Sequence, residues 1–235
     1  MSAVTPSRPL DPAVLVARDK EDVLVGEEIV RHKLSSRVIH WSVAVTFFVC
    51  VLTGMPIWTP VFGWMAHLFG GLSVCRALHP WTGIAFFVAS AVMFLDWLGD
   101  MHMSPEEKKG WWGPKLISYM RWEVEEGEEV GKYNGGQKFF FWTAGLGAVG
   151  LLVSGLLMWF PRSFPRLLME LAYLIHDFTF ICFAVAIIFH IYLGTVAEPG
   201  TFRSMTRGTV TRKWARLHHP GWYRRITGEE PRRRP

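Results

Sequence analysis

The stretch LIHDFTFICFAVAIIFHIYLG, residues 174–194, carries His176 and His190 in an apolar run whose only formal charge is Asp177. Imidazole is a poor solute for hydrocarbon, and an ionisable group placed there marks a functional site by default. On a helix the fourteen residues between the two rings rise about 21 Å. They turn through roughly 1,400°, about 40° short of four full turns, so both rings look over nearly the same face. Two more histidines stand in apolar surroundings, His40 in RVIHW and His79 in RALHPW. Neutral imidazole is a metal ligand, and a bis-histidine haem needs a second imidazole from a facing helix. Two rings on one face, one for each half of a bilayer core about 30 Å thick, suit two stacked cofactors.

The elements that must carry these residues are visible as uncharged runs. No Asp, Glu, Lys or Arg occurs in Val38–Cys75, Ala77–Leu95 or Phe139–Phe160, and Leu171–Ala197 is broken only by Asp177. A helical crossing needs about 20 apolar residues. With half of its 235 residues hydrophobic and a positive mean hydropathy, the chain reads as an all-α, integral membrane four-helix bundle binding two b-type haems. The spans are expected at about 38–58, 80–98, 138–160 and 171–196. The first run is too long for one crossing. Pro56 and Pro60 are expected to end its helix, leaving Gly63–Leu78 as an amphipathic segment at the interface. Pro80 is placed in the first turn of the second helix. An amino-terminal extension (1–36) and a basic tail (198–235) flank the spanning domain, 37–197.

Lys and Arg counts orient the bundle. The amino-terminal segment has six, the loop from Gly99 to Lys138 has six and the tail has ten, against Arg76, Arg162 and Arg166 in the other two loops. Both termini are therefore expected in the cytoplasm, the acidic EVEEGEE stretch counting little and reading as a solvated loop. A basic tail beside spanning helices lies against anionic lipid rather than nucleic acid. Residues 1–30 show no apolar core with a cleavage site, so no signal peptide is expected. Cys50, Cys75 and Cys182 form no CxxC pair, which removes the ligands for zinc, an iron–sulfur cluster or a covalently attached haem. Internal repeats are absent, and the one biased segment is the terminal RRRP.

With that orientation the four histidines sort by depth. His79 and His176 open the second and fourth spans on the outer side and would hold an outer haem iron. His40 and His190 lie near the cytoplasmic ends of the first and fourth spans and would hold an inner one. Arg37 and Arg76 each precede a ligand by three residues, one turn nearer water. Each fits either a haem propionate contact or a snorkelling helix-end cation. Gly83, Gly145, Gly147, Gly150, Gly155 and Gly194 fit either macrocycle approach or helix packing. His32, His67, His102, His218 and His219 fall in loops or at interfaces and read as non-ligands. A haem-free anchor or a histidine-relay transporter is the rival of another class, but the related halves and broken helices of transporters are not evident.

On these residues the chain resembles the cytochrome b (gamma) subunit of membrane-bound formate dehydrogenase, over roughly residues 31–226. VGKYNGGQKFFFW (residues 130–142) resembles that family's GKYNAGQK segment, with Gly135 in place of the alanine. ALHPW, YLIHD and the tail RKWARLHHPGWYR match as well. The cytochrome b subunits of nickel–iron hydrogenases share the four-span, two-haem plan. The KYN–GQK and HHP–WYR segments favour formate dehydrogenase over that alternative.

The resemblance implies His40, His79, His176 and His190 as haem ligands, and a quinone pocket near the inner haem at Asn134, Gln137 and His190. The NGGQ segment also fits a plain turn into the third helix. It further implies electron transfer from an iron–sulfur (beta) subunit, fed by a molybdenum or tungsten catalytic (alpha) subunit, through two haems b to menaquinone or ubiquinone. The setting is a bacterial inner membrane, with a higher oligomer of the heterotrimer possible. The chain before Val30 lies outside the resemblance.

Overall fold

A computed structural model of the chain describes residues 11–102 and 130–229. The first ten residues, the EVEEGEE stretch and RRRP lie outside them. Two compact units are present: a spanning unit, Val38–Glu125 with Tyr133–Leu193, and a polar unit, Met1–Arg37 with Glu126–Lys132 and Gly194–Pro235.

Four helices are long and apolar enough to cross a membrane. In chain order they are α2 (Leu34–Trp58), α3 (Leu72–Trp97), α4 (Gly135–Trp159) and α5 (Arg166–Tyr192), preceded by the short α1 (Pro12–Val16). Lipid offers the backbone no hydrogen bonds, so an uncharged run closes them within its own helix. The same medium explains a correction to the expected boundaries. Proline inside a helix costs about 3 kcal/mol in water, but spanning helices tolerate it. α2 runs through Pro56 to Trp58, and α3 begins at Leu72, leaving Pro80 in its interior. Pro80 does not open that helix, and Gly63–Leu78 is not one interfacial segment. A 3-10 helix, Pro60–Phe69, buries Met65 and Ala66 and exposes Val61, Trp64 and Leu68. Gly70 (φ 91) and Gly71 (φ 121) then turn the chain into α3 through a left-handed conformation that residues with a Cβ rarely adopt.

The centre of the bundle is aromatic. Phe47 of α2, Phe86 of α3 and Phe183 of α5 pack together with ring centroids 5.9 to 6.1 Å apart, over Ala148 of α4. Gly147 makes this possible, since a Cβ there would collide with the Phe183 ring. A second cluster joins Met101, Tyr133 and Phe141, with Trp142 Nε1 donating to Met101 O at 3.0 Å. The start of α4 is fixed by a capping box. Asn134 Oδ1 accepts from Gln137 N at 2.9 Å, and Gln137 Oε1 accepts from Asn134 N at 3.0 Å. A helix cap of this kind contributes about 1 kcal/mol.

The polar unit adds a feature the all-α reading did not include. It contains a three-stranded antiparallel sheet of β1 (Val23–Val25), β2 (Glu28–Val30) and β3 (Thr209–Thr211), registered Ile29 against Leu24 and Val210. Three short helices, α6 (Phe202–Thr206), α7 (Arg212–His218) and α8 (Pro220–Thr227), complete it. Trp214, Trp222 and Tyr223 pack on Ile29 and Val210. The Arg31 guanidinium lies 5.0 Å from the Trp214 ring and 5.3 Å from that of Trp222, and donates to Lys132 O at 2.6 Å. Val130–Lys132 is pinned from several sides. Val130 O accepts from Gly221 N and Trp222 N, His219 Nδ1 is 2.8 Å from Gly131 O, and Lys132 pairs with Glu21 and Asp22. The VGK and HHPGW segments are thus two sides of one contact. The amino-terminal extension and the basic tail, read separately in the sequence, form this single unit.

Candidate functional site

The expected ligands come together as two couples within the spanning unit. The ring centroids of His40 (α2) and His190 (α5) are 6.1 Å apart, and those of His79 (α3) and His176 (α5) are 6.3 Å apart. An imidazole nitrogen binds a first-row metal at about 2 Å and lies roughly 1 Å from its ring centre. Two imidazoles on opposite sides of one iron therefore place their centroids about 6 Å apart. Both couples match that separation. Among the described residues no cluster of three or more His, Cys, Asp or Glu could hold a metal ion, so the donor set at each couple is two imidazoles. That set suits an iron already held in a planar macrocycle.

Periodicity explains why the couples form. Gly54 lies fourteen residues after His40 on α2, His190 fourteen after His176 on α5, and Ser154 fourteen after Phe140 on α4. Each pair shares a helix face, about 21 Å apart. Halfway along, seven residues from His40, His79 and His176 respectively, stand Phe47, Phe86 and Phe183. The aromatic cluster therefore fills the space between the two couples.

The surroundings of the couples differ. At His79–His176, Thr53 Oγ1 is 3.1 Å from His79 Nδ1 and Ser154 Oγ is 2.9 Å from His176 Nδ1. The next residue on each helix is a glycine. A Cβ on Gly54 would stand 2.8 Å from His79 Cε1, and one on Gly155 would stand 3.4 Å from His176 Cε1. At His40–His190, Phe140 stacks on His190 (5.1 Å, 6°) and Trp97 lies over His40 (6.4 Å, 22°). His40 Nδ1 is buried with no hydrogen-bond partner among the described residues.

The remaining expected residues are placed as follows. Arg37 is buried in the polar unit, donating from Nη1 to Thr206 O at 2.9 Å and from Nη2 to Ala17 O at 3.3 Å. Two carbonyls thus share its guanidinium. Arg76 is exposed on α3. His79 stands two turns inside α3, not at its opening. Asn134 and Gln137 face one another in the capping box, with both carbonyl oxygens taken and both amide NH2 groups left to donate. Asp177 accepts from Trp58 Nε1 at 3.1 Å, tying α5 to α2. Cys75 is a fully buried free thiol.

Of the five histidines read as non-ligands, His32 and His219 are buried in the polar unit rather than lying in open loops. Burial and the Arg31 charge keep His219 well below the usual imidazole range, against its bond to Gly131 O. His218 is lowered mainly by burial, partly offset by Glu198.

Thr53 and Ser154 were not among the residues read from the sequence. The signal that finds them is the fourteen-residue step taken from Phe140 on α4 and, one position short, from His40 on α2.

Comparison with known proteins shows the family of the chain. The family model of prokaryotic cytochrome b561 matches residues 31–208. The formate dehydrogenase cytochrome b556 subunit of Haemophilus influenzae is 35% identical over 208 residues, covering 87% of this chain and 86% of the relative. The nitrate-inducible formate dehydrogenase cytochrome b556(Fdn) subunit of Escherichia coli is also 35% identical over 208 residues, covering 87% and 94%. The b556(fdo) subunit of the same organism is 32% identical over 203 residues, covering 85% and 94%. Four apolar helices, paired intramembrane histidines and a family match across most of the chain converge: the chain belongs to the prokaryotic cytochrome b561 family, as a membrane-embedded electron-transfer subunit of the haem b type.

Proposed function

We propose that the chain is the quinone-reducing cytochrome b subunit of a formate dehydrogenase complex. On this reading it takes electrons from an iron–sulfur subunit outside the membrane and delivers them to a quinone near the cytoplasmic face. The observation that carries the proposal is the sorting of four histidines into two couples, each at the separation of a bis-imidazole iron. The relatives named as formate dehydrogenase subunits support the choice of complex. Bound haem b supplies a one-electron couple at each site, which the side chains of this membrane unit cannot supply.

The chain's own residues position and insulate. His79 and His176 would hold the outer haem iron, and His40 and His190 the inner. Phe47, Phe86 and Phe183 fill the space between them and keep water out of it. At the mouth of α4 the capping box uses the oxygens of the Asn134 and Gln137 amides and not their NH2 groups, so each can donate to a quinone carbonyl. The proton that accompanies reduction comes from the cytoplasmic side, a sidedness that the Lys and Arg distribution supports. Carrying one negative charge inward works against the potential by about 2.3 kcal/mol per 100 mV, so formate oxidation would help charge the membrane.

Formate added to the purified complex should reduce two b-type haems and, through them, quinone. Copurification with a nickel-containing partner, and reduction by hydrogen but not by formate, would assign the chain to a hydrogenase. Absence of b-type bands in a reduced-minus-oxidised spectrum would leave a haem-free anchor.

A further inference from the structure

The hydroxyls beside the His79–His176 couple do more than fill space. Thr53 Oγ1 lies 2.8 Å from Val49 O, and Ser154 Oγ lies 2.6 Å from Gly150 O. A hydroxyl has one proton, and here it is donated to the carbonyl one turn back. With its proton placed there, each oxygen accepts from the facing histidine, and His79 Nδ1 and His176 Nδ1 carry the ring protons. Nε2 of each ring is left with its lone pair free.

Each contact is thus a chain of two bonds in the same sense, from Nδ1–H to hydroxyl to backbone carbonyl. Thr53 is fully buried and Ser154 nearly so, which keeps water from competing. A hydrogen bond accepted from the far nitrogen fixes the ligand's tautomer and raises its basicity, and linked bonds strengthen one another. A more basic ligand favours the oxidised metal. The His40–His190 couple has no such arrangement among the described residues: Phe140 stacks flat on His190, Trp97 lies over His40, and His40 Nδ1 is unpartnered.

We propose that Thr53 and Ser154 are positioning residues that lock both rings as Nε2 ligands and hold the outer haem at a lower midpoint potential than the inner one. The proposal rests on the two-haem reading above. It gives the fold a built-in redox slope directed from the electron donor toward the quinone.

The test is an optical redox titration of the purified complex, with haem content measured alongside. In the unaltered protein, the haem missing from His79→Ala should be the one of lower potential. Thr53→Val and Ser154→Ala should each move that haem to a higher potential, leaving the other unmoved. Thr53→Ser and Ser154→Thr, which keep the hydroxyl, should stay near the original value. Loss of that haem in the Val and Ala variants but not in Ser and Thr would equally support the positioning role. The reverse order of potentials in the unaltered protein, an unmoved potential in Thr53→Val and Ser154→Ala, or matching behaviour of Val and Ser at position 53 would overturn it. Fewer than two haems in the unaltered complex would overturn the two-haem reading itself, a different result.

Discussion

The two histidine couples reach nearly the same ring separation, 6.3 and 6.1 Å, by different means. His79 and His176 are held at their edges by hydroxyls, and a glycine on each facing helix leaves room for the ring. His40 and His190 are held at their faces by Trp97 and Phe140. Edge contacts act on the ring's electrons and tautomer, whereas face contacts act on its tilt. A four-helix frame with a fourteen-residue spacing between site positions can therefore present two geometrically similar sites with different electronic surroundings. Sequence-distant small residues supply the difference.

The largest effect that separates the couples is deletion of a ligand. His190→Ala should abolish quinone reduction and remove one haem while the other stays, read as half the b-type absorbance. Loss of both haems would mean that the couples are not independent.

Next in size is Gly54→Ala. The added methyl would sit 2.8 Å from His79 Cε1, closer than real Cβ contacts come, whereas the same change at Gly155 meets His176 at 3.4 Å. Gly54→Ala should disturb or lose the haem at His79–His176, with Gly155→Ala milder and the His40–His190 spectrum unchanged in both. Haem content and spectra would check this.

A smaller change is expected from Asn134→Ala, which removes the capping box at the foot of α4. The helix start should weaken by about 1 kcal/mol, seen as faster amide exchange in its first turn. The KM for quinone should rise while both haems remain.

The smallest effect contrasts the spanning unit with the polar one. His219 is held neutral by burial, so its folded value lies below the unfolded one of about 6.5. Stability from this source is complete above that pH and declines as the pH falls below it, because the unfolded state then binds the extra proton. Acidification should loosen α7 and α8 in hydrogen exchange, and His219→Asn should flatten that dependence.

Much of this was legible in the sequence for simple physical reasons. Charge-free runs of bilayer length are hard to read otherwise, and they fixed the number of spans. Helix direction then sorted His40, His79, His176 and His190 by depth, and the structure brings together the couples that sorting named. Proline misled the reading: Pro80 resembles a helix start by rules learned in water, yet α3 begins at Leu72. Thr53 and Ser154 were passed over because a hydroxyl in a spanning helix ordinarily bonds its own backbone, and both do so while also meeting a histidine. The sheet was invisible because its strands are three residues long and β3 lies far along the chain from β2. Arg37 fitted either a haem propionate contact or a snorkelling helix-end cation. Its partners, Ala17 and Thr206, are brought together only by the folded polar unit.

The central claim, that two imidazole couples each clamp one iron, is tested most directly by counting haems in the purified complex. The count should be made for the unaltered chain, His40→Ala and His176→Ala, with the spin state read by electron paramagnetic resonance. The account expects two low-spin haems b per chain in the first and one in each of the others. Two haems surviving either substitution, or high-spin iron in the unaltered chain, would contradict it.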